Sequence, residues 1–204
     1  MSKAPTGPTV RTFVAVELPT DLQARLSTIQ DKFGKQTSDI KWVSVELLHI
    51  TVRFLGSVPE PRIQQVNEAA LQSAAAQASF SLAVDGLGSF PGVGRPRVLW
   101  AGLRNDDGYS RLGELFRRLE ERLADHGFPP EGRSFSPHIT LARVRENATR
   151  QDLDHIAQTF SAVRDHVSLR GTIPVTHLTV MRSDLTRAGP RYTPLLRASL
   201  SGAQ

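Results

Sequence analysis

The sequence contains no cysteine, which excludes disulfide-stabilised folds, zinc sites with thiolate ligands and cysteine nucleophiles. Aromatic residues are also scarce, at 6% of the chain. No apolar run approaches the roughly 20 residues that a membrane-spanning helix needs, and residues 1–10 lack the apolar segment of a secretion signal. We therefore expect a cytoplasmic protein.

Lysine is nearly absent as well, since only four of the 25 basic residues are lysines. The net charge of +5 therefore comes mainly from arginine, whose planar fork binds phosphate with two hydrogen bonds. Such a composition fits a polyanionic partner, and it fits an arginine-rich genome equally well. At 204 residues the chain predicts one domain over 1–204, two-lobed in shape, with residues 1–10 flexible.

One short pattern occurs twice, as His49-Ile50-Thr51-Val52 and as His138-Ile139-Thr140-Leu141. The β-branched residues predict strands, in which histidine and threonine share one face while the apolar residues face a core. Two such strands side by side would present two imidazoles and two hydroxyls to one small anion. The pattern therefore predicts acid–base chemistry on a phosphate.

A third His-x-Thr triplet, His177-Leu178-Thr179, competes with these two. Random placement of 6 histidines and 15 threonines would give fewer than one such triplet. A single triplet is most often the polar face of an ordinary strand, whereas a pair in matched contexts favours a site. From the residues alone, His177 stays open as an alternative.

Strand-like and helix-like segments alternate along the chain. Around each motif the order is helix, loop, motif strand, helix, which suggests a duplicated α+β lobe with a cleft between the copies. The predicted strands are 11–18, 40–43, 48–55 (ended by Gly56), 80–87, 97–103, 138–145, 167–169, 175–181 and 192–200. Four helices are predicted as well: from the cap Thr20 to Gly34, from Pro59 to about Gln77, over 109–126 and onward from the cap Thr149.

Together these residues resemble the two-histidine phosphoesterase superfamily, and within it the bacterial and archaeal RNA 2',3'-cyclic phosphodiesterases, also called 2'-5' RNA ligases. The resemblance is carried by Trp42-Val43, by 48–56 (LHITVRFLG) and by 135–143 (FSPHITLAR). It extends from Phe13 to Leu196.

The resemblance implies an α+β fold of two pseudo-symmetric lobes, each an antiparallel sheet with helices packed outside, and a central cleft. It also implies hydrolysis of RNA 2',3'-cyclic phosphate ends to a 2'-phosphate without metal or cofactor, and we expect a monomer. In the family, a plain apolar strand precedes Ser183 and the Gly189-x-x-Tyr192 signature. His177 falls in that strand, so we interpret it as incidental.

Following the family, His138 is expected to be the general base and His49 the general acid in hydrolysis, with the roles exchanged in ligation. A histidine titrates near pH ~6.5, so one imidazole can be neutral while the other is protonated. Thr51 and Thr140, on the same face, are expected to donate hydrogen bonds to the phosphate oxygens.

The family also makes Phe54 and Arg143 candidates for stacking on the terminal base. Strict alternation argues against both, because five residues after a cleft-facing histidine the side chain should face away, unless a bulge turns it back. By the same parity, Arg53 shares the face of His49 and is the alternative phosphate contact.

Three other functions remain open at this point. One is a related 2'-5' phosphodiesterase acting on small nucleotides, and another is a non-catalytic module that binds RNA through its arginines. The third is a metal hydrolase, which is disfavoured because no carboxylates stand near the motifs at ligand spacing.

Overall fold

The structure, a computed structural model, describes residues 7–33, 39–187 and 189–202. In that part of the chain it contains nine strands and four α-helices. The strands are β1 (Thr9–Glu17), β2 (Ile40–Trp42), β3 (His49–Pro59), β4 (Phe80–Phe90), β5 (Val98–Leu103), β6 (Ile139–Val144), β7 (Arg170–Val175), β8 (His177–Thr186) and β9 (Gly189–Ser199), and the helices are α1 (Thr20–Lys32), α2 (Ile63–Ala75), α3 (Asp107–Asp125) and α4 (Arg150–His166).

The named strands pair antiparallel in the order β7-β4-β5-β6-β3-β1-β8-β9, and β2 adds to β6. At the middle of this sheet, β3 and β6 meet through one residue pair, Ile50 with Ile139. Four strands of this order lie on either side of the seam, so each motif strand begins one half. The predicted α+β fold of two antiparallel lobes around a cleft is confirmed.

The two faces of the sheet differ in what covers them. Val14, Val16 and Ile50 belong to the main core, which the apolar stripes of the helices complete. Phe13 and Met181 lie on the opposite face, where they form a smaller cluster with Ala15 and Tyr192. Most of the apolar surface is therefore buried between the sheet and the helices. The opposite face of the sheet, which the helices do not cover, forms the cleft.

The ends of the helices agree in part with the predicted caps and stops. Thr149 caps α4 through a capping box with Asp152, as predicted. At α1, however, the cap position is Pro19 and no side chain caps the helix, so the prediction for Thr20 is wrong. The predicted stop at Gly34 lies outside the described residues.

Strand ends differ more from the predictions. β3 does not end at Gly56, which adopts a φ of 69° that glycine tolerates, and it continues to Pro59. The strand predicted at 167–169 forms at Arg170–Val175 because α4 runs through His166. Of the segment predicted to be flexible, Thr9 and Val10 open β1, while residues 1–6 lie outside the described part. Within that part, no helix is both long and apolar enough to cross a bilayer.

Candidate active site

His49 opens β3 and lines the cleft. Its Nδ1 lies 2.7 Å from the carbonyl oxygen of Leu47, and because a carbonyl only accepts, Nδ1 carries the proton. Nε2 lies 3.1 Å from the hydroxyl of Thr51. The ring packs against Phe13 and Tyr192, with ring centroids 4.9 and 5.4 Å away. The imidazole is thus fixed in orientation, and Nε2 is available for proton transfer.

His138 immediately precedes β6 and repeats this arrangement. Its Nδ1 lies 2.7 Å from the carbonyl oxygen of Ser136, so this ring is also protonated on Nδ1. The rings of Phe90 and Trp100 lie beside it, at 5.0 and 6.2 Å. Trp100 occupies the space over Gly88, where a Cβ atom would lie 2.1 Å from the indole. Both motif histidines are therefore held by the carbonyl two residues earlier in the chain.

The seam between the lobes brings the two histidines together. Because Ile50 pairs with Ile139 in an antiparallel arrangement, His49 and His138 occupy diagonal positions across it. Such positions lie about 7–8 Å apart on one face of a sheet, a separation that leaves room for a phosphate between the rings. The charge of His138 is also among the causes that lower the pKa of His49, as expected of neighbours.

Burial lowers the pKa of both imidazoles. At His49, desolvation disfavours the protonated ring, the hydrogen bond to Leu47 partly opposes this, and His138 adds repulsion. At His138, desolvation is again the largest cause; the bond to Ser136 raises the pKa and the charge of Arg143 lowers it. Near neutral pH both rings therefore lose their protons more readily than an exposed histidine does.

A bulge in β3 brings Phe54 into the cleft. The register of β1 against β3 shifts by one residue at Val52, and such an insertion reverses the faces of the residues that follow. Phe54 is consequently 41% exposed and lines the cleft. The guanidinium of Arg11 lies 4.6 Å from the centroid of its ring.

The same bulge removes Arg53 from the histidine face, which corrects the parity argument. Arg53 is 6% exposed and forms ion pairs with Glu120 and Glu131, the latter at 2.8 Å. It also donates to the carbonyl of Pro129. Its guanidinium is bound to these groups, and Arg53 is not among the residues that line the cleft. The prediction that Arg53 is an alternative phosphate contact is therefore wrong.

An equivalent bulge occurs in β6. Its register against β5 shifts by one residue at Leu141, the third residue after His138, just as Val52 is the third after His49. Arg143 therefore turns to the face of Thr140, and both line the cleft. The sequence repeat is accompanied by a repeat of irregular backbone, which strict alternation cannot predict.

The cleft has a volume of about 960 Å³. His138 is not among its lining residues, but it lies two residues before Thr140, which is. Five predicted residues line the cleft: His49, Thr51, Phe54, Thr140 and Arg143.

Sequence reasoning missed several other residues of the cleft wall. Phe13 was identified only as part of a strand, and no role was predicted for Arg11, Lys41 or Leu185, all of which line the cleft. Their positions depend on which strands become neighbours of β3 and β6. The sequence offered one indication, for Lys41, because it directly precedes the Trp42-Val43 segment that carries the family resemblance.

The third His-x-Thr triplet has a different environment. His177 Nε2 lies 2.9 Å from the carboxylate of Glu17, which also accepts from the hydroxyl of Thr179 and from Nε and Nη2 of Arg197. Arg197 is the largest cause that lowers the pKa of Glu17, to about 2, with smaller contributions from His177 and Thr179. His177 is therefore held in an ion-pair cluster centred on Glu17.

The described residues contain no group of three His, Cys, Asp or Glu side chains that could hold a metal ion. This finding concerns geometry alone, and metal independence stays a prediction.

Comparison with known proteins gives the family. The family model for LigT-like phosphoesterases matches residues 16–100 and 103–192. An RNA 2',3'-cyclic phosphodiesterase of Methanothermobacter thermautotrophicus is 32% identical over 186 residues, which cover 91% of this chain and 96% of the relative. One of Thermotoga maritima is 32% identical over 198 residues, covering 95% and 97%.

Solved structures agree. A protein of Thermus thermophilus superposes with a TM-score of 0.72 at 30% identity, covering 95% of this chain and all of its own. E. coli LigT in complex with 3'-AMP gives a TM-score of 0.73 at 27% identity, covering 95% and 99%. The resemblance seen in the motifs is thereby confirmed, and the chain belongs to the LigT-like phosphoesterase family.

Proposed function

We propose that this protein hydrolyses 2',3'-cyclic phosphate ends of RNA to a 2'-phosphate, using His49 and His138 as an acid–base pair without a metal ion. The observation that carries the proposal is the matched pair of imidazoles, both protonated on Nδ1, on either side of the Ile50–Ile139 seam. The relatives named RNA 2',3'-cyclic phosphodiesterase support the reaction, and the 3'-AMP complex of E. coli LigT supports a nucleotide ligand.

In this mechanism His138 removes a proton from water, and the water oxygen attacks phosphorus. The bond between phosphorus and O3' breaks, and protonated His49 gives its proton to O3', which leaves the phosphate on O2'. Each proton transfer contributes roughly 10²–10⁴-fold to the rate. Thr51 and Thr140 donate to the non-bridging oxygens, where negative charge grows. Attack by a 5'-hydroxyl in place of water would give ligation with both histidines in the same roles, because the bond to O3' is again the one that breaks; the exchange of roles applies to the reverse reaction, cleavage of a 2'-5' linkage.

Product analysis in the presence of EDTA tests the reaction. An oligoribonucleotide ending in a 2',3'-cyclic phosphate should be converted to a single product whose ³¹P resonance is that of a 2'-phosphate. The rate should not change on adding EDTA or on adding back Mg²⁺ or Zn²⁺. A 3'-phosphate product would contradict the expulsion of O3', and loss of activity in EDTA would restore the metal-hydrolase alternative.

The pH dependence should report the lowered pKa values of the histidines. Activity needs one neutral and one protonated ring, so kcat/KM should rise as the base loses its proton and fall as the acid does. Because burial lowers both pKa values below the ordinary 6.5, the maximum of this bell should lie below about pH 6.5. Initial rates from about pH 4 to 9 at low substrate check this, and a monotonic profile would contradict paired catalysis.

A further inference from the structure

Two of the three His-x-Thr triplets flank the same strand. β1 lies between β3, which carries the triplet of His49, and β8, which carries the triplet of His177. Ala15 of β1 is the register partner of Thr51 on one side and of Thr179 on the other. The two triplets therefore occupy matching positions on the two sides of β1.

Glu17, two residues after Ala15, lies between the two histidines. It is the register partner of His49, and its carboxylate lies 2.9 Å from Nε2 of His177. Residues directly opposite each other on neighbouring antiparallel strands have Cβ atoms about 4.5–5.5 Å apart. The carboxylate is thus within side-chain reach of both triplets, and it is bound by the one on β8.

The triplet on β8 holds this carboxylate as a His-x-Thr pair holds an anion. Nε2 of His177 and the hydroxyl of Thr179 lie 2.9 and 2.8 Å from the same oxygen, Oε2 of Glu17. Both donors reach one atom because they share a face of the strand. At His49, in contrast, the two ring nitrogens contact a carbonyl and a hydroxyl.

Arg197 makes the two sides of β1 different. This residue of β9 is the register partner of Thr179, and it donates from Nε to Oε2 of Glu17 at 2.8 Å and from Nη2 to Oε1 at 3.0 Å. Its hydrogen bond is the largest cause that lowers the pKa of Glu17 to about 2, so the carboxylate is charged wherever histidine titrates. Because β9 lies beyond β8 in the sheet, these bonds draw the carboxylate away from β3.

Other titratable groups also face His49. His138 lies across the seam, and its charge is among the causes that lower the pKa of His49. The ring of Tyr192 on β9 lies 5.4 Å away, and its pKa is raised, chiefly by burial, so it is neutral. Glu46, just before β3, is exposed, and solvent screens its charge. Glu17 is therefore the carboxylate whose placement bears most directly on His49.

We propose that Arg197 is a positioning residue, which holds the Glu17 carboxylate at the triplet on β8 and so keeps it away from His49. This inference rests on the proposed function, because it concerns the proton that His49 donates. A carboxylate beside an imidazole stabilises the protonated ring and makes it a weaker acid. Arg197 thus preserves the acid strength of His49 without touching it.

Titration of the histidine rings by NMR tests this inference independently of activity, and the resonance missing from His49→Ala identifies His49. In the double variant Arg197→Gln/His177→Gln, Glu17 loses both cationic partners, so His49 should bind its proton about tenfold more tightly and titrate at higher pH. Arg197→Gln alone should give a smaller change in the same direction, since protonated His177 still balances the carboxylate. His177→Gln alone should give none, because both bonds from Arg197 remain.

Further variants show whether the effect passes through the carboxylate. Adding Glu17→Gln to the double variant should return the His49 midpoint to that of the wild type. Arg197→Lys keeps the charge and should leave the midpoint unchanged. Arg182→Gln is the matched control, because Arg182 is an exposed arginine of β8 whose Nε binds both oxygens of Asp184; its loss should not affect His49.

An unchanged His49 midpoint in the folded double variant, or a change that persists after Glu17→Gln, would overturn the inference. Thermal denaturation checks folding, and if the double variant is unfolded, an unchanged midpoint in Arg197→Gln decides against it. In the active enzyme, the high-pH limb of kcat/KM should move to higher pH in the double variant while the low-pH limb stays. If the wild type hydrolyses no cyclic phosphate, the proposed function fails, and the NMR result still decides the role of Arg197.

Discussion

Replacing His49 or His138 by alanine is expected to reduce kcat for the cyclic-phosphate oligonucleotide by about 10²–10⁴-fold. Each ring supplies one of the two proton transfers, and Nδ1 of each is already used by a backbone carbonyl, so only Nε2 can serve the substrate. The double variant should be little worse than either single one, because the two rings act as a unit. Initial rates with the product assay in EDTA measure the effect.

His177→Ala is the matched control, since it removes the same side chain from the same His-x-Thr context. Its imidazole is bound to Glu17, so activity should be within a few-fold of the wild type. Thermal denaturation of the three variants checks that each is folded. Equal losses at positions 49, 138 and 177 would exclude the assignment, as would full activity in His49→Ala.

Thr51→Val and Thr140→Val should each lower kcat by about 10²–10³-fold, the usual effect of removing one donor to a developing oxyanion. Valine keeps the shape of threonine and suits a strand, so the loss reports the hydroxyl. Because the charge on the oxygens grows toward the transition state, KM should change much less than kcat.

Thr172→Val, on an exposed position of β7, makes the same replacement outside the cleft and should have no effect. If the threonine variants raised KM and left kcat unchanged, the hydroxyls would serve ground-state binding, and their proposed role at the transition state would be wrong.

The repeated motif was enough to predict that each histidine shares a face with its threonine, because a period of two places them on one side wherever the strand is regular. It could not show that both strands become irregular three residues later. The bulges at Val52 and Leu141 turn Phe54 and Arg143 into the cleft and send Arg53 out of it. In β3 the residue that the bulge turns inward is polar, Arg53, and the one that it turns toward the cleft is apolar, Phe54. The apolar pattern therefore does not mark the insertion, and for this reason parity failed for Arg53.

The pairing of the strands could not be predicted from the sequence either. Lys41 reaches the cleft only because β2 pairs with the second half of β6, and Phe13 packs on His49 only because β1 lies beside β3. Local sequence predicts that these segments are strands, but the choice of partner strand depends on contacts far apart in the chain.

The pair Ile50–Ile139 is the only register pair between β3 and β6 within the described chain, and behind the sheet α2 packs on α3. The two imidazoles therefore stand on two halves of one sheet, and a shared hydrophobic core behind the sheet holds these halves together. The distance between the rings is accordingly set from the far side of the sheet, so a substitution that alters the contact between α2 and α3 would change it without altering any residue of the cleft.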